Sequence, residues 1–233
     1  MCGRFAQYRR AIDYLDQLDT DLVSGLDPAP IERYNVAPQT TVQLLHQDAD
    51  GLRLEGVRWG YSPFWARGKR PPAINARVET AATSRYFRDV WTAGRAIVPA
   101  DGWYEWVKSE NDPKAKQPYY ITLNSGDPLF MAAIGQFPRG GSLAARDGDG
   151  FAIITAPSSV GMLDIHDRRP LVFSPEVARH WLDPELTTEE AEELASEHGL
   201  GVEEFGWYPV SRAVGNVRNQ GASLIEQIVD PLR

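Results

Sequence analysis

The chain has 233 residues, of which 42% are hydrophobic and 10% aromatic, and its formal net charge is −8 at pH 7. That composition is typical of a folded soluble protein. No apolar run approaches the ~20 residues that a membrane helix needs, and a single cysteine excludes an internal disulfide. We therefore expect one domain over residues 1–233 that is cytoplasmic, monomeric and without a membrane partner.

The predicted elements begin with a helix and continue mainly as strands. AIDYLDQLD near the start places Ile12, Leu15 and Leu18 at intervals of three, which predicts a helix. Short apolar runs bounded by turn residues then predict seven strands, with a second helical pattern, TAATSRYFRDVW at 80–91, after the second of them. The predicted strands are VQLLH at 42–46, LRLEGVRWGY at 52–61, RAIVPADGWYEWV at 95–107, PYYITL at 118–123, LFMAAIGQF at 129–137, FAIITA at 151–156 and RPLVFS at 169–174.

Two further helices are predicted after the last strand. Ser174 is a cap residue followed by a proline in the first helical turn. Thr187 and Glu190 form a capping-box pattern in front of an acidic helix. Strands outnumber helices and do not alternate regularly with them, which favours an α+β domain around antiparallel sheet. Residues 62–79 and 158–170 fit no regular element, and long irregular loops in compact domains are usually functional or disordered.

The amino-terminal stretch MCGRFA contains Cys2, the single cysteine of the chain. Once Met1 is removed, Cys2 carries a free α-amine and a thiol on adjacent carbons. The amine, whose ordinary pKa is roughly 7.7–8.0, can condense with an aldehyde to an imine, and the thiol can then close a five-membered thiazolidine ring. The alternative interpretation is a small second residue that only permits removal of Met1.

Positive charge is concentrated in the middle of the chain. Residues 58–95 contain eight basic and two acidic residues, a net charge of +6, which leaves −14 for the rest. Within this stretch Asn75, Arg77 and Arg85 surround a predicted helix start, an arrangement suited to an anion such as phosphate. Upstream, Trp65 lies in a loop rich in proline and glycine, where its ring either stacks on a base or anchors the loop to the core.

Two further residues have acid–base potential. Glu105 lies between Tyr104 and Trp106 in an apolar strand, where it is either a solvent-facing residue or a partly desolvated acid with a raised pKa. His166 lies in a polar, basic loop rather than on an apolar face. No clustering of Cys and His predicts a metal site, and we expect no cofactor.

The motifs taken together resemble those of the SRAP family, the SOS response-associated peptidases, also called abasic-site processing proteins. The matching segments follow the family's order. They are MCGRF at 1–5, RYNVAP at 33–38, PAINARVETAATSR at 72–85, ADGWYEW at 100–106, FMAAIG at 130–135, DIHDRRP at 164–170 and VSRAVGNVRNQG at 210–221. The resemblance implies a compact α+β domain with a barrel-like antiparallel β core and a few flanking helices.

The resemblance also implies a function. SRAP proteins scan single-stranded DNA and covalently trap abasic sites, whose open sugar presents an aldehyde. Carried over by motif, Cys2 is the nucleophile that forms the thiazolidine, and Asn75 orients the amino terminus and the sugar. Glu105 is the general acid and base, also for reversal of the link, and His166 assists proton transfer or stabilises the open sugar. The "peptidase" name implies autoproteolytic exposure of Cys2.

A DNA channel is implied as well, by residues expected to hold phosphates or to shape the path of the strand. These residues are Arg4, Asn35, Pro38, Trp65, Arg77, Ser84, Arg85 and Arg168. The expected partner is single-stranded DNA containing abasic sites, so the protein is expected at the nucleoid when it is bound to DNA.

Two other functions fit the same residues. A cysteine peptidase would use Cys2 with His166 and Glu105. A non-covalent reader of modified bases would need the arginines and Trp65 but not the thiol.

Overall fold

The computed structural model describes residues 2–20, 27–48, 50–108, 116–137, 148–158, 162 and 166–229. Within these ranges no helix has both the length and the apolar character that a bilayer crossing requires. The helices found there are α1 Ala11–Leu18, α2 Val78–Ala81, α3 Arg88–Ala93, α4 Pro175–Trp181 and α5 Thr188–Glu197, with 3-10 helices at Phe64–Ala66, Val202–Glu204, Arg212–Gly215 and Ala222–Leu224. The strands are β1 Phe5–Gln7, β2 Arg33–Val36, β3 Thr41–Asp48, β4 Gly51–Arg58, β5 Asn75–Arg77, β6 Arg95–Ala100, β7 Gly102–Lys108, β8 Lys116–Leu123, β9 Leu129–Gln136, β10 Gly150–Pro157, β11 Arg168–Pro170, β12 Val172–Phe173 and β13 Phe205–Pro209.

The strands form two sheets. The small sheet has the order β13–β8–β7–β1–β2, and its neighbouring strands are antiparallel. The large sheet has the order β11–β10–β9–β6–β3–β4, with β12 beside β9 and β5 running parallel beside β10. With helices confined to a few short segments, this confirms the predicted α+β class on mainly antiparallel sheet.

The barrel-like closure expected from the resemblance is not shown, because the pairing of the described strands leaves both sheets open. An isolated bridge joins Trp59, which follows β4, to Phe151 of β10. Among the described strands β13 and β2 are the edges of the small sheet, and β11 and β4 end the path through the large one. The two sheets instead bury their apolar faces against each other. One cluster, the shared core, joins Phe5, Trp103 and Ile121 of the small sheet to Val98 and Met131 of the large sheet. Burial against a second sheet removes the apolar faces from water without closing either sheet into a barrel.

The predicted strand at 95–107 is two strands in different sheets. The chain leaves β6 of the large sheet at Ala100 and enters β7 of the small sheet at Gly102. A Cβ at Gly102 would lie 2.3 Å from the ring of Tyr120, so this crossing requires glycine. The apolar run is continuous because both strands are buried, and periodicity alone therefore does not reveal the break.

The helix predicted at 80–91 is also interrupted. The Ser84 hydroxyl accepts the backbone N–H of Tyr86 (3.2 Å) and forms a turn that separates α2 from α3. Serine side chains compete with the helical backbone in this way. The α1, α4 and α5 predictions are confirmed, including the Ser174 cap on Val177 N–H.

The reciprocal capping box of Thr187 and Glu190 is present at the start of α5. The predictions omitted β1, β2, β5 and β13, which span three to five residues each and are too short for a clear alternation. The irregular segment 62–79 contains a 3-10 helix and β5. Of the irregular segment 158–170, residues 159–161 and 163–165 lie outside the described ranges, as does Met1.

Candidate active site

The amino-terminal segment runs beside β7. β1 pairs antiparallel with β7, and the backbone N–H of Tyr104 donates to the carbonyl of Arg4 (2.9 Å). Because antiparallel neighbours advance in opposite directions, the residues before Arg4 come alongside those after Tyr104. Cys2 therefore lies near Glu105, and it is fully buried in the shared core.

Asn75 lies in the large sheet and anchors this amino-terminal segment. β5 lies beside β10 with Asn75 opposite Ile153, and the Asn75 Nδ2 donates to the carbonyl of Cys2 (2.9 Å). The Oδ1 of Asn75 is buried and accepts no hydrogen bond from any described residue. A buried acceptor without a donor is destabilising, so this oxygen is well suited to a donor on the processed amine or on a sugar.

Glu105 is a buried acid rather than a solvent-facing residue. Its neighbours Tyr104 and Trp106 pack in a cluster on the outer face of the small sheet, so strand alternation directs Glu105 to the inner face. Glu105 is only 5% exposed, and this burial raises the pKa of its carboxyl group to about 7, although the positive amino terminus opposes the shift. A carboxyl group with that pKa can both donate and accept a proton near neutrality.

His166 lies at the same end of the molecule and is half-buried. Its Nδ1 is 2.7 Å from a carboxylate oxygen of Asp167 and 3.0 Å from the backbone nitrogen of Arg168. Burial lowers the pKa of His166, and the positive amino terminus lowers it further. The positive charge of the amino terminus contributes to the pKa shifts of Cys2, Glu105 and His166.

The thiol of Cys2 is not preactivated. Burial raises its pKa, and the negative charge of Glu105 raises it further. A thiol of this kind is protonated at neutral pH and is a weak nucleophile until a base removes its proton. The geometry therefore favours chemistry in which an amine reacts first and the thiol adds second, with Glu105 as the nearby base.

An exposed cationic and aromatic surface is formed by two of the predicted DNA residues, Trp65 and Arg85, and a third, Arg77, is exposed as well. Trp65 is 40% exposed, and the Arg85 guanidinium lies 4.7 Å from its ring centroid. Tyr86 meets the same ring edge-on at 5.9 Å, and Arg77 is exposed at the end of β5. Such a combination can contact the phosphates and bases of a single strand.

Arg168, by contrast, is already paired within the protein. Its two terminal nitrogens donate to the carboxylate of Glu79 at 2.7 and 2.9 Å, and it also donates to the backbone of Thr155. A phosphate bound at Arg168 would have to share the guanidinium with Glu79.

Arg4 and Asn35 are joined in an internal network. Arg4 donates to the Asn35 side chain (2.8 Å) and to the carbonyl of Val214 (3.0 Å). The Asn35 amide donates to the carbonyls of Val214, Asn216 and Asn219. Both residues therefore anchor the segment 212–219, which begins with the 3-10 helix Arg212–Gly215, and their contacts with DNA stay a prediction.

The remaining predicted channel residues have local roles. Ser84 shapes the turn before Tyr86, and Pro38 is half-buried in the turn that follows β2. Their DNA contacts stay predictions too.

Sequence reasoning missed three residues of this region: Glu79, Asp167 and Arg70. Glu79 pairs with a residue 89 positions away, and Arg70 stacks on Tyr86 at 3.8 Å. No sequence periodicity reports contacts at such separations. Asp167 was visible beside His166, and an acidic neighbour is a usable signal for a histidine with a defined partner.

Comparison with known proteins decides the family. The family described as SOS response associated peptidase (SRAP) matches residues 1–217. The chain belongs to the SRAP family. The motif order, the amino-terminal cysteine and the α+β fold agree with that membership.

Similar SRAP proteins are known from bacteria and vertebrates. The abasic site processing protein YedK of Escherichia coli is 52% identical over 98% of this chain and 100% of its own length. YoqW of Bacillus subtilis, also named an abasic site processing protein, is 33% identical over 97% of this chain and 99% of its own length. The abasic site processing protein HMCES of Xenopus tropicalis is 29% identical over 98% of this chain and 79% of its own length.

Solved structures share the fold. A phage-related protein from Bordetella bronchiseptica superposes with a TM-score of 0.76 at 38% identity, covering 91% of this chain and 95% of that one. A protein from Bacteroides thetaiotaomicron has a TM-score of 0.73 at 22% identity, covering 98% of this chain and 100% of that one, and is similar in fold alone.

Proposed function

We propose that this SRAP protein processes abasic sites in single-stranded DNA by trapping the sugar aldehyde on Cys2. The observation that carries the proposal is the convergence of Cys2, Asn75 and Glu105 around the start of the chain. The names of the relatives, abasic site processing proteins at up to 52% identity, support the same substrate.

The reaction needs no redox partner. After removal of Met1, the α-amine of Cys2 attacks the aldehyde carbon of the opened sugar, and loss of one water leaves an imine. The sulfur of Cys2 then bonds to the imine carbon while the thiol proton passes to the nitrogen, which closes a thiazolidine. Water is the only product released.

The site residues have separate roles in these steps. Glu105, with a pKa of about 7 through burial, donates the proton that the departing hydroxyl needs and recovers the proton that the nitrogen loses. It then relays the thiol proton to the nitrogen. The buried Oδ1 of Asn75 receives a donor from the amine or the sugar and holds both in place. His166, whose pKa is lowered by burial, is neutral near pH 7 and assists proton transfer at the sugar.

Ring closure protects the DNA. An open imine at an abasic site promotes elimination of the phosphate and strand cleavage, whereas the thiazolidine removes the C=N bond on which elimination depends. A monomer bound once per site is sufficient for this role. Reopening of the ring needs an acid, and Glu105 is positioned to supply it.

The decisive experiment compares wild type with Cys2→Ser on an abasic single-stranded oligonucleotide. Cys2→Ser keeps the amine but loses the thiol, so we expect only a labile imine. The readouts are intact mass of the adduct and survival of the adduct on a heated denaturing gel. A matched control carries an amino-terminal extension that blocks the amine and keeps the thiol, and it should form no adduct. A heat-stable adduct of Cys2→Ser at the wild-type level would rule the thiazolidine out.

A cysteine peptidase is the second candidate, because the family description contains that activity. The buried thiol with its raised pKa argues against it, since a peptidase nucleophile is activated by a lowered pKa. A peptidase would cleave a peptide in trans and would keep that activity when the amine is blocked. A non-covalent base reader would bind modified DNA equally well after Cys2→Ala.

A further inference from the structure

A groove with a volume of about 510 Å³ lies at the free edge of the small sheet, between β13 and the residues near the end of the described chain. Tyr119, Trp207 and Pro209 form the strand side, and Ile228 and Val229 form the other side. The Ile228 N–H donates to the carbonyl of Pro209 (2.9 Å), which holds the two sides together. Among the described residues, none that lines this aromatic groove is charged.

The aromatic groove lies on the same face of the small sheet as Glu105. Glu105 is opposite Tyr119 in the pairing of β7 with β8, and Tyr119 is opposite Pro209 in the pairing of β8 with β13. Directly paired residues project from the same face of a sheet, so the groove shares the face of Glu105. Since adjacent strands are about 4.8 Å apart, the backbone of Tyr119, which lines the groove, is about one strand spacing from the backbone of Glu105.

We propose that the aromatic groove binds the unpaired base of the nucleotide next to the abasic site. The proposal rests on the proposed function and extends its binding site by one subsite. The rings of Tyr119 and Trp207 offer stacking surfaces, and stacking tolerates any base because every base has an aromatic face. The absence of charge among the lining residues favours a base over a phosphate, for which exposed Arg77 and Arg85 are available elsewhere.

A mutant cycle on the full chain tests this subsite. The ligand is a single-stranded oligonucleotide with a central, unreactive tetrahydrofuran in place of the abasic sugar, and its affinity is measured by fluorescence anisotropy. Two further oligonucleotides also lack the neighbouring base, on the 5′ or the 3′ side. Wild type should lose roughly tenfold in affinity with one of these two. Trp207→Ala should show the same loss with the complete oligonucleotide and no additional loss when that base is missing.

Matched variants separate binding from folding. Trp207→Phe keeps a stacking ring and should restore most of the affinity. Val229 is 92% exposed, so Val229→Asp places a carboxylate at the groove without disturbing the core and should weaken binding. Ile12→Asp adds the same charge at a residue 39% exposed on α1, away from the groove, and should bind as wild type does.

The following outcomes would contradict the proposal. If Trp207→Ala and Val229→Asp bind DNA with wild-type affinity, no base lies in the groove. The same conclusion holds if the loss of affinity caused by Trp207→Ala adds to the loss caused by removing the base. A change of oligomeric state in sedimentation, with unchanged DNA affinity, would make the groove a contact between copies of the chain. Adduct formation by wild type on reactive abasic DNA tests the proposed function separately. If wild type forms the adduct and the groove variants bind DNA as wild type does, only the subsite is refuted.

Discussion

Glu105 illustrates how a single residue acquires its chemistry from its place in the fold. The side chain is directed into the core by strand alternation between two aromatic neighbours that face outward. Burial disfavours the ionised carboxylate, and the pKa rises to about 7. The same burial that makes this acid useful near neutral pH makes its ionised form a source of instability.

The first prediction follows from that burial. An unfolded glutamate titrates near ~4.3, so between that pH and about 7 the folded protein binds the proton that the unfolded chain has lost. The free energy of unfolding from this group is therefore highest in acid and falls as the pH rises through 7. Relative to Glu105→Gln, wild type should lose up to about 3 kcal/mol between pH 4 and pH 8, measured by urea denaturation. Stability that rises with pH relative to Glu105→Gln would contradict the buried acid.

At the scale of elements, the junction between β6 and β7 organises the amino-terminal strand. Asp101 stands between the two strands, and its carboxylate accepts from the Tyr8 N–H (2.6 Å), the Tyr14 hydroxyl (2.6 Å) and Arg9 Nε (2.7 Å). The backbone N–H of Asp101 donates to the carbonyl of Ala6 (2.8 Å). One buried side chain thereby fixes β1 and α1 against the point where the chain changes sheets.

The second prediction concerns this junction. Asp101→Asn removes a buried charge with three donors, one of them the cation of Arg9, and we expect a loss of about 2–4 kcal/mol in the free energy of unfolding. Thermal and chemical denaturation measure it. Asp127→Asn, at an exposed position, is the control and should change stability by less than about 0.5 kcal/mol. Equal stability of the two variants would show that Asp101 does not stabilise this junction.

At the scale of the whole molecule, charge is segregated along the chain. The stretch 58–95 carries +6 while the remaining residues carry −14. Arg77 and Arg85 are exposed within the positive stretch, whereas α5 exposes a row of glutamates. A net negative charge therefore does not exclude DNA binding, because local phosphate contacts outweigh net charge at short range.

The third prediction is a salt dependence. Arg77→Ala and Arg85→Ala should each weaken binding to single-stranded DNA of any sequence and reduce the slope of log affinity against log salt by about 0.7–1. Arg88 lies in the same positive stretch but pairs with Asp89 at 3.4 Å, so Arg88→Ala is the matched control. Equal slopes for all three variants would remove Arg77 and Arg85 from the set of phosphate contacts.

Local signals predicted much of the fold. The caps at Ser174 and Thr187 were confirmed because a cap acts through backbone groups two or three residues away. The strands around 42–46, 118–123 and 129–137 were confirmed for a similar reason, since an apolar run bounded by turns needs no distant partner to be recognised. The break at Asp101 and the interrupted helix at Ser84 were missed because each depends on a particular bond or contact rather than on periodicity.

The amino-acid sequence by itself determined the reactive groups: an amine and a thiol on Cys2, arginines in one stretch, and the family motifs in order. Only the tertiary structure decided that Glu105 is buried, that Arg168 is held by Glu79, and that an aromatic groove lies on the same sheet face as Glu105. The physical reason is the sequence separation over which each property is determined. Chemical identity and helical or strand periodicity are properties of a few adjacent residues, whereas burial and ion pairing depend on residues that folding brings together from distant parts of the chain.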